Sequence, residues 1–409
     1  MKRMASSMVL AGVLCGWSQT NRPIATADRS AGLAPLEAEI VKTRARLAEL
    51  VTPPTTWQEV ASWQIPRIEH LAVSAAGASV VTLGEFAEEG VHIFEAGRSK
   101  PRVVLRGKPC ERLCISPDGK RALVESSSEV FMLRLPDGAI VAGPIDPTLL
   151  RPPYHWLPDS QTVLGTKSWS MAWWRPSGKP KHAEHEHGQG IVAFAVRSNG
   201  SQIASLCTYG HVKRYTPDGQ ELGDTEIQGK RGADLCYVAG GRLLAVSGQE
   251  DWAIHLLDAE RGTIVAALRA HEAPVFNVVP VGEGARLVSM DRNAEIRLWD
   301  VVQPACIDVR RCYMGWNHPS APPIRKQEDS DDYRFTSYPA AGRVLIDHRT
   351  GTFTLNLATL HPDSFLPRES PDYNARKRSA LDATGRFLAT TASKPNRLIL
   401  WQAAGAGKP

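Results

Sequence analysis

The chain of 409 residues lacks any Lys/Arg cluster, any apolar run long enough to span a bilayer, and the short motifs that mark common catalytic sites. Its 48 basic and 43 acidic residues alternate, so the formal charge of +5 is spread along the chain. A nucleic-acid partner needs cations gathered on one face, and none is expected here. The apolar stretch at 8–17 (MVLAGVLCGW) is about half the ~20 residues of a membrane-spanning helix, so no stable span is expected in the mature chain. G-x-S-x-G, H-E-x-x-H and a Gly-rich phosphate loop are also missing. Nothing therefore points to a nucleophile-elbow hydrolase, a zinc peptidase or a nucleotide-dependent enzyme.

The N-terminus carries a pattern of its own. Lys2 and Arg3 precede the ten apolar residues, and a polar segment then ends in Ala25-Thr26-Ala27. A charged start, a short apolar core and a small-x-small site make a signal peptide over 1–27. That predicts a periplasmic or secreted protein of the bacterial envelope, with a cytoplasmic address as the alternative. A lipoprotein anchor on Cys15 is disfavoured because Leu14 stands where a small residue is required. Removing a leader would leave six of the seven cysteines, an even number that suits an oxidising compartment. Cys110 with Cys114, Cys207 with Cys236, and Cys306 with Cys312 are the candidate pairs. For Cys114 and Cys236, at the start of a first strand, an inert buried thiol is the preferred reading. Leu36, Ile40, Thr43, Leu47 and Leu50 form a helical stripe across 35–51, ended by Pro53-Pro54. Residues 28–55 thus read as a linker with a short amphipathic helix.

The rest of the chain, 56–405, is repetitive. A short apolar strand, a Gly- or Asp-rich turn and a second apolar strand recur eight times. The turn residues are Gly77, Gly119, Ser160, Gly200, Gly240, Gly284, Gly342 and Gly385, at intervals of 42, 41, 40, 40, 44, 58 and 43 residues. β-branched and aromatic enrichment with Gly/Asp punctuation favours strands over helices. A period of ~40–45 residues with this content predicts β-propeller blades, which must stack into a ring because none buries its own apolar faces. Eight blades are favoured, and seven with an insertion in the 58-residue interval is the alternative. The last copy ends its third strand at Trp401 with eight residues left, too few for a fourth strand. The alternating segment 56–63 (TWQEVASW) has no other home and is expected to complete the final blade and close the ring.

The copy at 270–300, AHEAPVFNVVPVGEGARLVSMDRNAEIRLWD, resembles a WD40 repeat: His271 precedes its first strand, Ser289 lies in its second, and Trp299-Asp300 end its third. In that family a His, a Ser or Thr, a turn Asp and the Trp form a hydrogen-bonded chain that stiffens the blade. The resemblance places Asn293 at the turn Asp, so a weakened chain is expected. The other copies match the looser propeller pattern. Eight-bladed quinoprotein dehydrogenases carry a regular Ala/Trp motif that the 11 irregularly placed Trp do not reproduce.

In such a ring the turns between second and third strands gather on one face, with the connections that lead into each first strand. Those positions include Trp169, Tyr209, His211, Asp251, Trp252, Arg292, His348 and Arg349, with Trp316 in the long connection 313–333. Trp, Tyr, His and Arg with mixed charge suit protein recognition. The segment Lys181-His182-Ala183-Glu184-His185-Glu186-His187 has metal-ligating content, but alternation along an outer strand puts only His185 and His187 on one face. They are weak metal candidates on a solvated edge. The resulting expectation is a monomeric, non-catalytic propeller that binds a protein or peptide on its loop-rich face, without a cofactor. The alternative is a propeller-type hydrolase with a metal-assisted site at the central channel.

Overall fold

The computed structural model describes residues 55–404, apart from 66–67, 76–78, 85–89, 185, 228–230, 283, 312–333, 349–350, 368–378 and 394–395. The signal-peptide pattern and the 35–51 stripe therefore lie outside the described residues, as do His185, Trp316 and Arg349.

The described chain folds into eight four-stranded antiparallel sheets. We number them as blades 1 (68–104), 2 (110–145), 3 (151–182), 4 (191–226), 5 (232–268), 6 (275–311), 7 (334–367) and 8 (379–403). Successive strands run from the inside of each blade to its outside. The outer place in blade 8 is taken by Trp57–Gln64, which pairs antiparallel with Asn396–Ala403, Trp57 opposite Ala403 and Gln64 opposite Arg397.

Burial explains why these segments are strands. The two middle strands of a blade are covered on both faces, so they read as near-continuous apolar runs. Leu243–Gly248 and Ile254–Asp258 in blade 5 are buried at nearly every position. The outer strand Glu221–Glu226 alternates between half-buried and exposed residues instead. The core is divided into eight clusters, each between two neighbouring sheets. In one of them Trp63, Phe387, Leu398 and Leu400 of blade 8 meet Leu71, Val80 and Phe94 of blade 1, which closes the ring. This is an all-β, eight-bladed propeller, and the seven-bladed alternative falls. The 58-residue interval holds the long connection between blades 6 and 7.

The repeating turn residue has a backbone reason. Gly119, Ser160, Gly200, Gly240, Gly342 and Gly385 all have φ between 53° and 73°, the left-handed region where a side chain costs most. At Gly119 a Cβ would also sit 2.1 Å from the Ala75 nitrogen, because this turn packs on the preceding blade.

The cysteine pairings are corrected. Cys110, Cys114, Cys207, Cys236 and Cys306 are free thiols. Cys110 packs on the core between blades 1 and 2 and Cys114 on that between blades 2 and 3. Four strand residues also advance about 13 Å, beyond the roughly 4.4–6.8 Å between the Cα atoms of a disulfide. Cys236 faces blade 6, away from Cys207 in blade 4. Cys312 lies outside the described residues.

Candidate interaction face

The best copy of the repeat shows how the sequence rigidifies a blade. His271 lies between two partners, its Nδ1 2.9 Å from Asp291 Oδ2 and its Nε2 2.6 Å from Ser289 Oγ. Trp299 donates from Nε1 to the same hydroxyl at 2.7 Å. All four residues are buried. The chain is thus complete, which corrects the expectation built on Asn293. The carboxylate comes from Asp291, the last residue of the second strand, while its Oδ1 accepts from the backbone N–H groups of Asn293 and Glu295. Asn293 is part of the turn that Asp291 holds.

A partial copy of this arrangement in blade 4 overturns the reading of the His-rich segment. The outer strand of blade 3, which opens that segment, is only Lys181–His182. His187 is buried, with Nε2 2.6 Å from Ser205 Oγ, and the two are 18 residues apart, as are His271 and Ser289. Tyr215 stands opposite Ile203 as Trp299 stands opposite Leu287. Where blade 6 has Asp291, two residues after the serine, blade 4 has Cys207. His187 Nδ1 is consequently buried without a hydrogen bond. Desolvation, helped by the Lys213 cation, holds its pKa down at about 4. His187 is thus a strut between strands, and its Nε2 is already engaged. Blade 8 keeps a further remnant, Trp401 Nε1 donating to Thr390 Oγ1 at 2.8 Å.

His271, Asp291 and Glu295 also have their ligand-type atoms within 4.8 Å of one another. Those atoms already serve protein donors and acceptors: both ring nitrogens are taken, and Glu295 Oε1 accepts from Arg297 Nε. The chemistry of the set is that of a hydrogen-bonded brace.

The second-to-third-strand turns place three rings in solvent: Trp169 is 48% exposed, Tyr209 59% and Trp252 42%. They belong to the successive blades 3, 4 and 5. Each turn is held by backbone bonds, such as His187 N–H to Trp169 C=O and Ile227 N–H to Gly210 C=O. Trp252 itself has a left-handed backbone, φ 56°. Asp251 braces that turn instead of projecting from it, 3.1 Å from His255 Nε2 and 3.3 Å from Arg269 Nη2. His211 is half-buried, 3.3 Å from Asp224. Arg292 is exposed in the corresponding turn of blade 6. His348 ends the strand Arg343–His348, and its side chain lies outside the described residues.

One member of this face escaped the sequence. Phe276 is 40% exposed on the inner strand Val275–Val281, beside the Arg292 turn, since Val275 pairs with Asp291. A register shift between Val275 and Asn277 turns it out of the core. With it, all four exposed large aromatics among the described residues occupy one face. The exposed large aliphatics, such as Ile140, Ile264 and Val265, sit on outer strands instead, apart from Val302 in the turn that leads into one.

The solved C-terminal WD40 domain of Sif2 superimposes on 87% of this chain and 100% of that one with a TM-score of 0.61, at 11% identity. This is a WD40-repeat-like β-propeller. No protein-family model matches the chain. Among curated proteins it is similar to the nuclear distribution protein PAC1 of Arthroderma otae, 27% identical over 59% of this chain and 56% of that protein. It is also similar to WD repeat-containing protein 55 of Mus musculus, 33% identical over 27% of this chain and 26% of that protein. A third is pre-mRNA-processing factor 19 of Bos taurus, 26% identical over 36% of this chain and 30% of that one. The chain thus spans little more than half the length of the first of these relatives. They come from a fungus and from mammals, which points away from the periplasmic or secreted address and overturns that expectation. The pattern that carried it is ten apolar residues behind two cations, which holds little information. Among the described residues no helix is long and apolar enough to cross a membrane. WD40 propellers typically serve as non-catalytic platforms for protein partners.

Proposed function

We propose that this propeller is a non-catalytic scaffold that docks a protein or peptide partner on the face bearing the second-to-third-strand turns. The observation that carries the reading is the segregation of exposed rings: Trp169, Tyr209, Trp252 and Phe276 lie on that face, and among the described residues none lies on the outer rim. Rigidly held aromatics supply large contact area at little entropic cost, the property of interface anchors. Two of the relatives are named for nuclear distribution and for pre-mRNA processing. Among the described residues no group favours the hydrolase alternative, because the His271, Asp291 and Glu295 set already acts as a brace.

The test is affinity capture from the native host with wild-type chain and a Trp169→Ala/Tyr209→Ala/Trp252→Ala variant. Partners captured by the wild type should be lost by the variant while its thermal unfolding is unchanged. Identical partner sets from the two chains would remove the face from consideration.

A further inference from the structure

The aromatic face is not electrically uniform, and its charge narrows the chemistry of what docks there; this step rests on the docking face proposed above. In blade 5 the charges are largely matched within the protein. Arg269 faces Asp251 at 3.3 Å and Arg231 faces Glu250 at 3.9 Å. Blades 3 and 4 differ. The backbone bonds from Ala183 N–H to Met171 C=O and from His187 N–H to Trp169 C=O flank Glu184 and Glu186 and keep both near the Trp169 turn. Glu184 and Glu186 are both exposed there. Glu226 stands opposite His211, and Ile227 N–H bonds Gly210 C=O, which sets Glu226 beside the Tyr209 turn. It too is exposed.

None of these three carboxylates is ion-paired among the described residues. The cations on the two turns themselves are fewer or occupied. Lys213 is buried against Glu221 at 2.9 Å, and His211 is 3.3 Å from Asp224. Lys167 is half-buried at the base of the Trp169 turn, and Arg151 is exposed on the inner strand of blade 3. Two exposed π faces flanked by three unmatched carboxylates form a surface complementary to cations, on a chain whose net charge is positive.

We propose that the adjoining turns of blades 3 and 4 receive a lysine- or arginine-bearing segment of the partner, with its cations against Trp169 and Tyr209 and between Glu184, Glu186 and Glu226. The rings supply contact with the aliphatic stems and cation–π attraction, and the carboxylates supply steering and selection against acidic segments.

Fluorescence anisotropy of labelled Lys–Gly, Ser–Gly and Glu–Gly repeat peptides against the full chain, at low and high salt, tests this. The Lys–Gly peptide should bind about tenfold or more tighter than the Ser–Gly peptide at low salt and lose most of that margin at high salt. Trp169→Leu/Tyr209→Leu and Glu184→Gln/Glu186→Gln/Glu226→Gln should each weaken it about fivefold or more, the second also flattening the salt dependence. These residues are exposed, and an unchanged thermal transition keeps the comparison clean. Equal binding of the Lys–Gly and Ser–Gly peptides, preference for Glu–Gly, or wild-type affinity in either variant overturns the proposal. If that happens while the aromatic variant still loses its captured partners, the docking face stands and only its cation selectivity is wrong.

Discussion

At the scale of residues, two blades show what a single carboxylate does. In blade 6 Ser289 Oγ is shared by His271 and Trp299. Ser289→Ala would leave two buried ring nitrogens, His271 Nε2 and Trp299 Nε1, without their shared partner, and a loss of about 2–4 kcal/mol in denaturant unfolding is expected. Blade 4 lacks the carboxylate, so Cys207→Asp should give His187 Nδ1 its missing partner and raise the histidine's pKa well above about 4, as read by NMR titration. An unmoved His187 pKa in that variant would show that the two blades are not equivalent. The site was legible to the extent that residue type and spacing carry it. Trp169, Tyr209 and Trp252 were found because turn position alone decides their exposure. Asp291 was misplaced by two residues because its side chain serves the turn from the end of a strand. His187 was hidden by its His-rich neighbours, although its 18-residue spacing to Ser205 repeats that of His271 to Ser289.

At the scale of elements, the inner strands of blades 5 and 6 are joined by Asp234. Its Oδ2 accepts from Asn277 Nδ2 at 2.8 Å and Val278 N–H at 3.0 Å, yet burial raises its pKa to about 6. Folded Asp234 holds a proton that the unfolded chain releases near 3.8, so its contribution to stability falls as pH rises from about 4 through 6. His187 has the opposite sign. Its folded pKa is depressed to about 4, so its contribution is complete above about 6.5 and falls as pH drops towards 4. The two slopes oppose each other across the same window. Asp234→Asn should therefore unmask a stability that declines on acidification from pH 6.5 to 4.5, and His187→Gln the reverse, both read by denaturant midpoints. Parallel profiles for the two variants would contradict the assignment. Elements were also where the sequence was most readable. The turn glycines repeat because the backbone needs a positive φ there, and Gly119→Ala should cost about 1–3 kcal/mol for the same reason. Phe276 was unreadable, since a local register shift breaks the alternation from which its burial would be inferred.

At the scale of the whole molecule, closure and display are coupled. Arg343 clasps the seam, with Nε donating to Asp363 Oδ2 at 2.6 Å, Nη1 to Gly385 C=O at 2.6 Å and Nη2 to Thr55 Oγ1 at 2.8 Å. These bonds tie blade 7, blade 8 and the entry to the closing strand together. Arg343→Met should lower stability by about 2–4 kcal/mol, since it strands a buried carboxylate, and raise proteolysis near residue 55. With the ring closed, the three turns of blades 3 to 5 are fixed relative to one another and can act as one docking surface. Hydrogen–deuterium exchange on the chain with its captured partner tests that claim most directly. The account predicts slowed exchange in the turns at 168–169, 208–210 and 249–252, and unchanged exchange along the outer strands Glu221–Glu226 and Ile264–Leu268. Protection confined to the outer strands, with the three turns exchanging as in the free protein, would contradict it.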